Sequence, residues 1–124
     1  MNIYQEKLLD HYHDPRNYGK LENFKAQALM ENRSCGDAIT MYIDVAKNCI
    51  SKISFEGEGC SVAIATASML TEYALGKQLD DISRLDMEAV LKLLGIELTL
   101  SRLRCAGVAL DSLKVAVANY LDQG

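Results

Sequence analysis

Ile39-Thr40-Met41-Tyr42-Ile43-Asp44-Val45 alternates, residue by residue, between apolar and more polar side chains. A strand turns successive side chains to opposite faces, so Ile39, Met41, Ile43 and Val45 are predicted to line a core face and Thr40, Tyr42 and Asp44 the other. Lys47-Asn48 follows as a turn signal, because asparagine tolerates positive φ. Beyond it Ile53 and Phe55 continue the core face while Lys52, Ser54 and Glu56 point outward. Upstream, Phe24, Ala26, Ala28 and Met30 share a face in a looser alternation, which predicts a first strand over 24–32. Three sequential strands joined by short connections predict an antiparallel meander with one face open to water.

The segments on either side read as helices. Over residues 2–12, Tyr4, Leu8, His11 and Tyr12 recur at helical spacing, and Pro15 ends the pattern. From residue 61, with Ser61 as N-cap, Val62, Ala65, Thr66, Met69 and Tyr73 form an apolar stripe, and Gly76 supplies a stop. Ala63, Ala65 and Ala67 permit close approach to the sheet. Residues 80–94 hold a short turn and a helix facing inward through Met87, Val90, Leu91 and Leu94, with Gly95 ending it. After a connector over 96–100, Ser101 or Arg102 opens a last helix that runs to about Leu121, with Ala109, Leu110, Leu113, Val117, Tyr120 and Leu121 as its stripe. No internal repeat or linker interrupts the order. The expectation is one domain over 1–124, an α+β sandwich with helices packed on one face of a three-stranded antiparallel sheet.

A chain of 124 residues, 49% hydrophobic and 24% charged, buries a core without cross-links. The net charge of −4 and the lack of a basic stripe argue against nucleic acid as a partner. No apolar run is long enough to span a membrane, and the first residues resemble neither a signal nor a transit peptide, so the expected location is cytoplasmic. Four cysteines in that compartment point to metal or thiol chemistry before disulfides.

Three of those cysteines have suggestive positions. Cys35-Gly36-Asp37 sets a thiol and a carboxylate two residues apart in the turn before the second strand. Cys60 stands where the third strand hands over to a helix, and Cys105 is expected in the first turn of the last helix. Helix N-termini favour thiolate over thiol. In a meander the start of strand two and the end of strand three share one edge, so Cys35 and Cys60 are predicted neighbours. Three thiolates and the Asp37 carboxylate complete a four-ligand shell for Zn(II) or an iron–sulfur cluster. Spacing alone leaves the site open: no Cys-x-x-Cys pair is present, and scattered cysteines also serve as core residues. Cys49, at the hairpin turn, reads as a bystander. His11 reads as a helix-end packing residue and His13 as a solvated loop residue. Arg102 and Arg104, beside Cys105, read as solvated helix-end residues or as positive charge supporting a thiolate or sulfide.

Several stretches together resemble one family. They are Leu8-Leu9-Asp10-His11-Tyr12, Pro15-Arg16-Asn17-Tyr18-Gly19, Asn32-Arg33-Ser34-Cys35-Gly36-Asp37, Phe55-Glu56-Gly57-Glu58-Gly59-Cys60, Ala65-Thr66-Ala67-Ser68 and Arg102-Leu103-Arg104-Cys105. In this order they resemble the IscU/SufU/NifU N-terminal family of iron–sulfur assembly proteins, over essentially the whole chain. The resemblance implies a scaffold, not an enzyme. A cysteine desulfurase delivers persulfide sulfur, iron joins it, and a 2Fe–2S cluster forms and passes to acceptor proteins. The implied ligands are Cys35, Asp37, Cys60 and Cys105, with Cys105 as persulfide acceptor. The region around Tyr4 and the first helix matches the part implicated in desulfurase docking. A monomer or weak homo-oligomer is expected.

The chain departs from the family pattern at two places. Arg104 stands where IscU proteins carry histidine, and Leu98-Thr99-Leu100-Ser101-Arg102 replaces their proline-containing chaperone-recognition segment. Transfer through an Hsp70-type chaperone is therefore not expected. A basic residue before the third cysteine is similar to SufU, which binds zinc and relays sulfur. The span from Cys60 to Cys105 lacks the SufU insertion and is close to the IscU length. The alternative reading is thus a SufU-like, zinc-dependent sulfurtransferase that relays persulfide sulfur from a desulfurase.

Overall fold

The computed structural model describes residues 2–34 and 36–123. Its elements run α1 (Ile3–His13), β1 (Ala26–Asn32), β2 (Asp37–Ala46), β3 (Cys49–Glu58), α2 (Ser61–Ala74), α3 (Leu79–Ser83), α4 (Met87–Leu94) and α5 (Leu100–Asp122). The three strands form one antiparallel sheet in the order β1-β2-β3. Helices α5 and α2 pack on it, α5 across β1 and β2 and α2 across β3, while α1 lies on α2. This is the predicted α+β arrangement.

The alternation of β2 sets the layers. Ile39, Met41, Ile43 and Val45 are buried under the helices, and Ile53 and Phe55 extend that face on β3. Lys47 and Asn48 both take positive φ, 54° and 64°. This backbone matches the twist of the two strands and fixes their register. Phe24 departs from expectation. Asn23 turns to φ 58°, which interrupts the extended chain before β1 begins. The Phe24 ring lies 5.1 Å from that of Tyr42, on the opposite face from Met41 and Ile43. Tyr42 is buried there, donating to Glu56 Oε1 at 2.5 Å. That carboxylate and burial hold the phenol proton, raising its pKa to about 12.

Helix α2 is the centre of the molecule. Residues 62–71 and Ala74 are buried on every side, between the sheet and α1, α4 and α5. The predicted single stripe was too narrow, and Tyr73, expected inside, is 38% exposed. Its N-cap is Cys60 rather than Ser61. The polar residues inside α2 therefore need partners. Ser68 Oγ accepts the Arg16 backbone N–H at 2.8 Å and meets His11 Nδ1 at 2.7 Å. Thr71 donates to the Ser68 carbonyl at 2.7 Å and accepts from Asn17 Nδ2 at 3.0 Å. His11 and Leu8 are the buried face of α1, whereas Tyr4 and Tyr12 are exposed. His11 is thus a packing residue, and His13 is exposed.

These bonds carry the segment 17–19 along β3 as a fourth, irregular rib. The Phe55 N–H donates to the Asn17 carbonyl at 3.0 Å, and the Gly19 N–H to the Phe55 carbonyl at 2.8 Å. At the other end, Gly95 closes α4 at φ 71°, and a Cβ there would lie 2.2 Å from the Tyr4 ring. Tyr4 therefore rests on a bare backbone that only glycine leaves open.

Candidate metal centre

Asp37 opens β2 on the same face as Ile39 and is 1% exposed. Antiparallel register sets Ala38 opposite Glu58, so the start of β2 and the end of β3 share one edge. The chain leaves that edge at Cys60 and enters α2. Asp37 Oδ1 accepts the Cys60 backbone N–H at 3.0 Å. The bond ties the two segments together where α2 begins.

Cys105 reaches the same corner on α5. Thr99 is the N-cap of that helix, so Cys105 lies in its second turn rather than the predicted first. Two turns on, Ser112 is fully buried and bonds to the carbonyls of Ala28 at 2.8 Å and Ile39 at 3.1 Å. Ser112 thereby pins α5 across β1 and β2 and sets the height of Cys105 above the sheet. The ligating atoms of Asp37, Cys60 and Cys105 all lie within 4.8 Å of one another. Cys35 falls outside the described residues.

The electrostatics correct one expectation. A thiol beyond the first helical turn gains little from the helix dipole. Burial pushes the Cys105 thiol well above its ordinary range, and the neighbouring Asp37 and Cys60 push it further. The thiol donates to the Ser101 carbonyl at 3.5 Å, as a protonated group would. A metal held through Cys105 would have to displace that proton.

The donor set suits a thiophilic metal. Two sulfurs converge with a carboxylate whose second oxygen, Oδ2, is buried and has no hydrogen-bond partner among the described residues. An orphaned anionic oxygen costs about 1–3 kcal/mol or more unless something occupies it. Zn(II) and iron both accept such a mixed S/O shell. Arg102 and Arg104 are exposed on the first turns of α5, and Cys49 starts β3 outside this group. Sequence reasoning missed Ser112, a small polar residue inside an apolar stripe. It also missed Gly59, where a Cβ would lie 2.4 Å from Asp37 Oδ1. The Gly-x-Gly before Cys60 was the available signal for the latter.

The chain is similar to known proteins. A family profile described as NifU-like N terminal domain matches residues 3–124. The chain is 39% identical over 118 residues to "Iron-sulfur cluster assembly scaffold protein IscU 1" of Archaeoglobus fulgidus, covering 95% of this chain and 76% of the relative. It is 33% identical over 121 residues to the protein named as scaffold IscU of Escherichia coli, covering 94% and 93%. Among solved structures it is similar to a nitrogen-fixing NifU-like protein (N-terminal) from Brucella abortus. That TM-score is 0.82 at 16% identity, with 98% and 96% of the chains covered. A SUF-system scaffold from Fervidobacterium islandicum gives 0.75 at 22% identity, covering 90% and 94%. At these identities the solved structures speak for the fold.

Proposed function

The chain belongs to the NifU-like N-terminal domain family, and from that premise we propose that it assembles a 2Fe–2S cluster and hands it to acceptor proteins. The cluster is cargo. Cys35, Asp37, Cys60 and Cys105 would hold it, and the observation that carries the reading is the convergence of Asp37, Cys60 and Cys105, with one buried Asp37 oxygen lacking a hydrogen-bond partner among the described residues. A cysteine desulfurase supplies the sulfur. The Cys105 thiolate attacks the outer sulfur of the enzyme's persulfide, the S–S bond breaks, and the desulfurase leaves as its own thiolate. Cys105 is buried and its thiol pKa is raised, so docking has to open the corner and remove a proton.

Asp37 also suits release. A carboxylate oxygen is a harder ligand than thiolate at a soft site, so exchange starts there. Asp37→Ala is expected to keep its cluster longer and to transfer it more slowly. Faster decay of visible absorbance in the variant, under identical anaerobic conditions, contradicts this.

Anaerobic purification followed by a visible spectrum and metal analysis tests the whole reading. Brown protein with iron and acid-labile sulfide is the expected result. Colourless protein with one tightly held zinc, whose removal abolishes stimulation of a desulfurase, supports the zinc-dependent sulfur relay instead.

A further inference from the structure

We propose that the two oxygens of Asp37 have separate tasks, and that Gly59 is the positioning residue that keeps them separate. The inference rests on the metal site proposed above and assigns the work within it. Oδ1 is fixed on the Cys60 backbone N–H at 3.0 Å. Oδ2 is buried and has no hydrogen-bond partner among the described residues.

The carboxylate reaches the Cys60 N–H by passing over the backbone of Gly59. A Cβ at that position would stand 2.4 Å from Oδ1, 3.0 Å from Cγ and 3.2 Å from Cα of Asp37. No side chain fits there, and φ of 154° is a conformation that L-residues rarely adopt. The neighbouring Gly57 is bare for a different reason: its Cβ would meet the Ala38 carbonyl at 2.2 Å. Gly57 lets β3 lie tightly against β2, whereas Gly59, just past the end of β3, faces Asp37.

The consequence is a carboxylate that cannot swing. With Oδ1 held by the backbone amide, only Oδ2 is presented, so Asp37 binds as a single-oxygen ligand. The same bond fixes Cys60, because the amide that Oδ1 holds is that of Cys60 itself. Gly59 thus sets the spacing between an oxygen ligand and a sulfur ligand without touching the metal.

Metal-free thermal stability and Co(II) affinity, read from thiolate-to-cobalt absorbance under anaerobic conditions, separate the two tasks. Asp37→Asn keeps an oxygen for the Cys60 N–H but loses the anionic ligand. It is expected to melt near the parent without metal, yet to bind Co(II) about tenfold or more weakly. Asp37→Ala loses both and is expected to melt lower and to bind Co(II) weakly at equilibrium, a quantity separate from the rate at which an assembled cluster leaves. Gly59→Ala is expected to weaken Co(II) binding about tenfold in the parent, and not to weaken it further in the Asp37→Ala background. Asparagine melting as low as alanine refutes the anchoring task of Oδ1. Equal Co(II) weakening by Gly59→Ala in both backgrounds refutes the positioning role. If Gly59→Ala does not fold, the asparagine–alanine comparison still decides. An Asp37→Asn protein that binds Co(II) as tightly as the parent refutes the ligand role of Oδ2. That result leaves the chain's family and its cargo open to the separate test of iron and sulfide content.

Discussion

Replacing Ser68 with alanine removes one oxygen and takes a partner from the buried His11 ring and from the half-buried Arg16 backbone N–H. Ser68 is fully buried on α2, where its hydroxyl accepts the Arg16 N–H at 2.8 Å and meets His11 Nδ1 at 2.7 Å. The hydroxyl oxygen has two lone pairs, so it accepts from Arg16 and still pairs with Nδ1 in either histidine tautomer, while Nε2 faces Glu72 Oε1 at 3.5 Å. Alanine fits the space but supplies neither bond. A buried polar group left unpaired costs about 1–3 kcal/mol, and the half-buried Arg16 N–H adds about 1 kcal/mol, so Ser68→Ala should cost about 2–4 kcal/mol in all. Against a typical domain stability of about 5–15 kcal/mol this is a large fraction. Urea unfolding of the metal-free protein reads it directly, as a midpoint lower by about 1–2 M with an unchanged slope. Native-state hydrogen exchange should place the loss at α1 and residues 16–19 first. A variant within about 0.5 kcal/mol of the parent, the range of ordinary surface substitutions, would refute the claim that this hydroxyl joins α1 and the turn to α2.

The same histidine predicts a pH dependence. Burial chiefly, and the nearby Arg16 next, hold the His11 pKa below 6.5, while Glu72 opposes them. Protonation then favours the unfolded chain, so stability is complete above pH 6.5 and declines as the pH falls below it toward the lower folded value. Urea midpoints taken from pH 7.5 down to about 5, above the carboxylate range, should slope in the parent and flatten in His11→Asn; an equal slope in both would assign the effect elsewhere. Gly95→Ala should cost at least about 1 kcal/mol from the left-handed backbone alone and should also displace the Tyr4 ring that lies on it. Faster amide exchange in the first turn of α1 checks the second effect, and unchanged exchange there would mean that Tyr4 is held by something else.

The alternation around Ile39–Val45 and Ile53–Phe55 was legible because a sheet with one covered face imposes period two on its sequence. The hairpin was legible because Lys47-Asn48 sits between the two runs and asparagine accepts positive φ. Helix α2 was only half legible. A helix enclosed by neighbours has no outward stripe to mark its inward one, so Ala63, Ser68 and Thr71 gave no periodic signal and Tyr73 was misassigned. Phe24 was misread because the break at Asn23 is a backbone event that hydrophobic pattern does not record. At the corner, the meander predicted Cys35 beside Cys60; Cys35 lies outside the described residues, and the same edge brings its near neighbour Asp37 to Cys60. The arrival of Cys105 depends on Ser112 bonding to two strand carbonyls, a long-range contact invisible to local pattern. Its raised thiol pKa followed from burial, which sequence position alone did not reveal.

The rib formed by residues 17–19 has a consequence for how the molecule behaves in a crowded solution. A strand whose outer row of amides is bare invites pairing with another chain, and a sheet of three strands has two such margins. Along β3 the protein seals its own margin at Phe55, and Tyr18 adds a hydroxyl contact to the Gly57 carbonyl at 2.9 Å. Peeling that rib away would leave the Phe55 amide and carbonyl unpaired at the margin of β3. The hydroxyl of Ser68, by holding Arg16 beside that rib, therefore helps to keep the margin closed as well as supporting the fold.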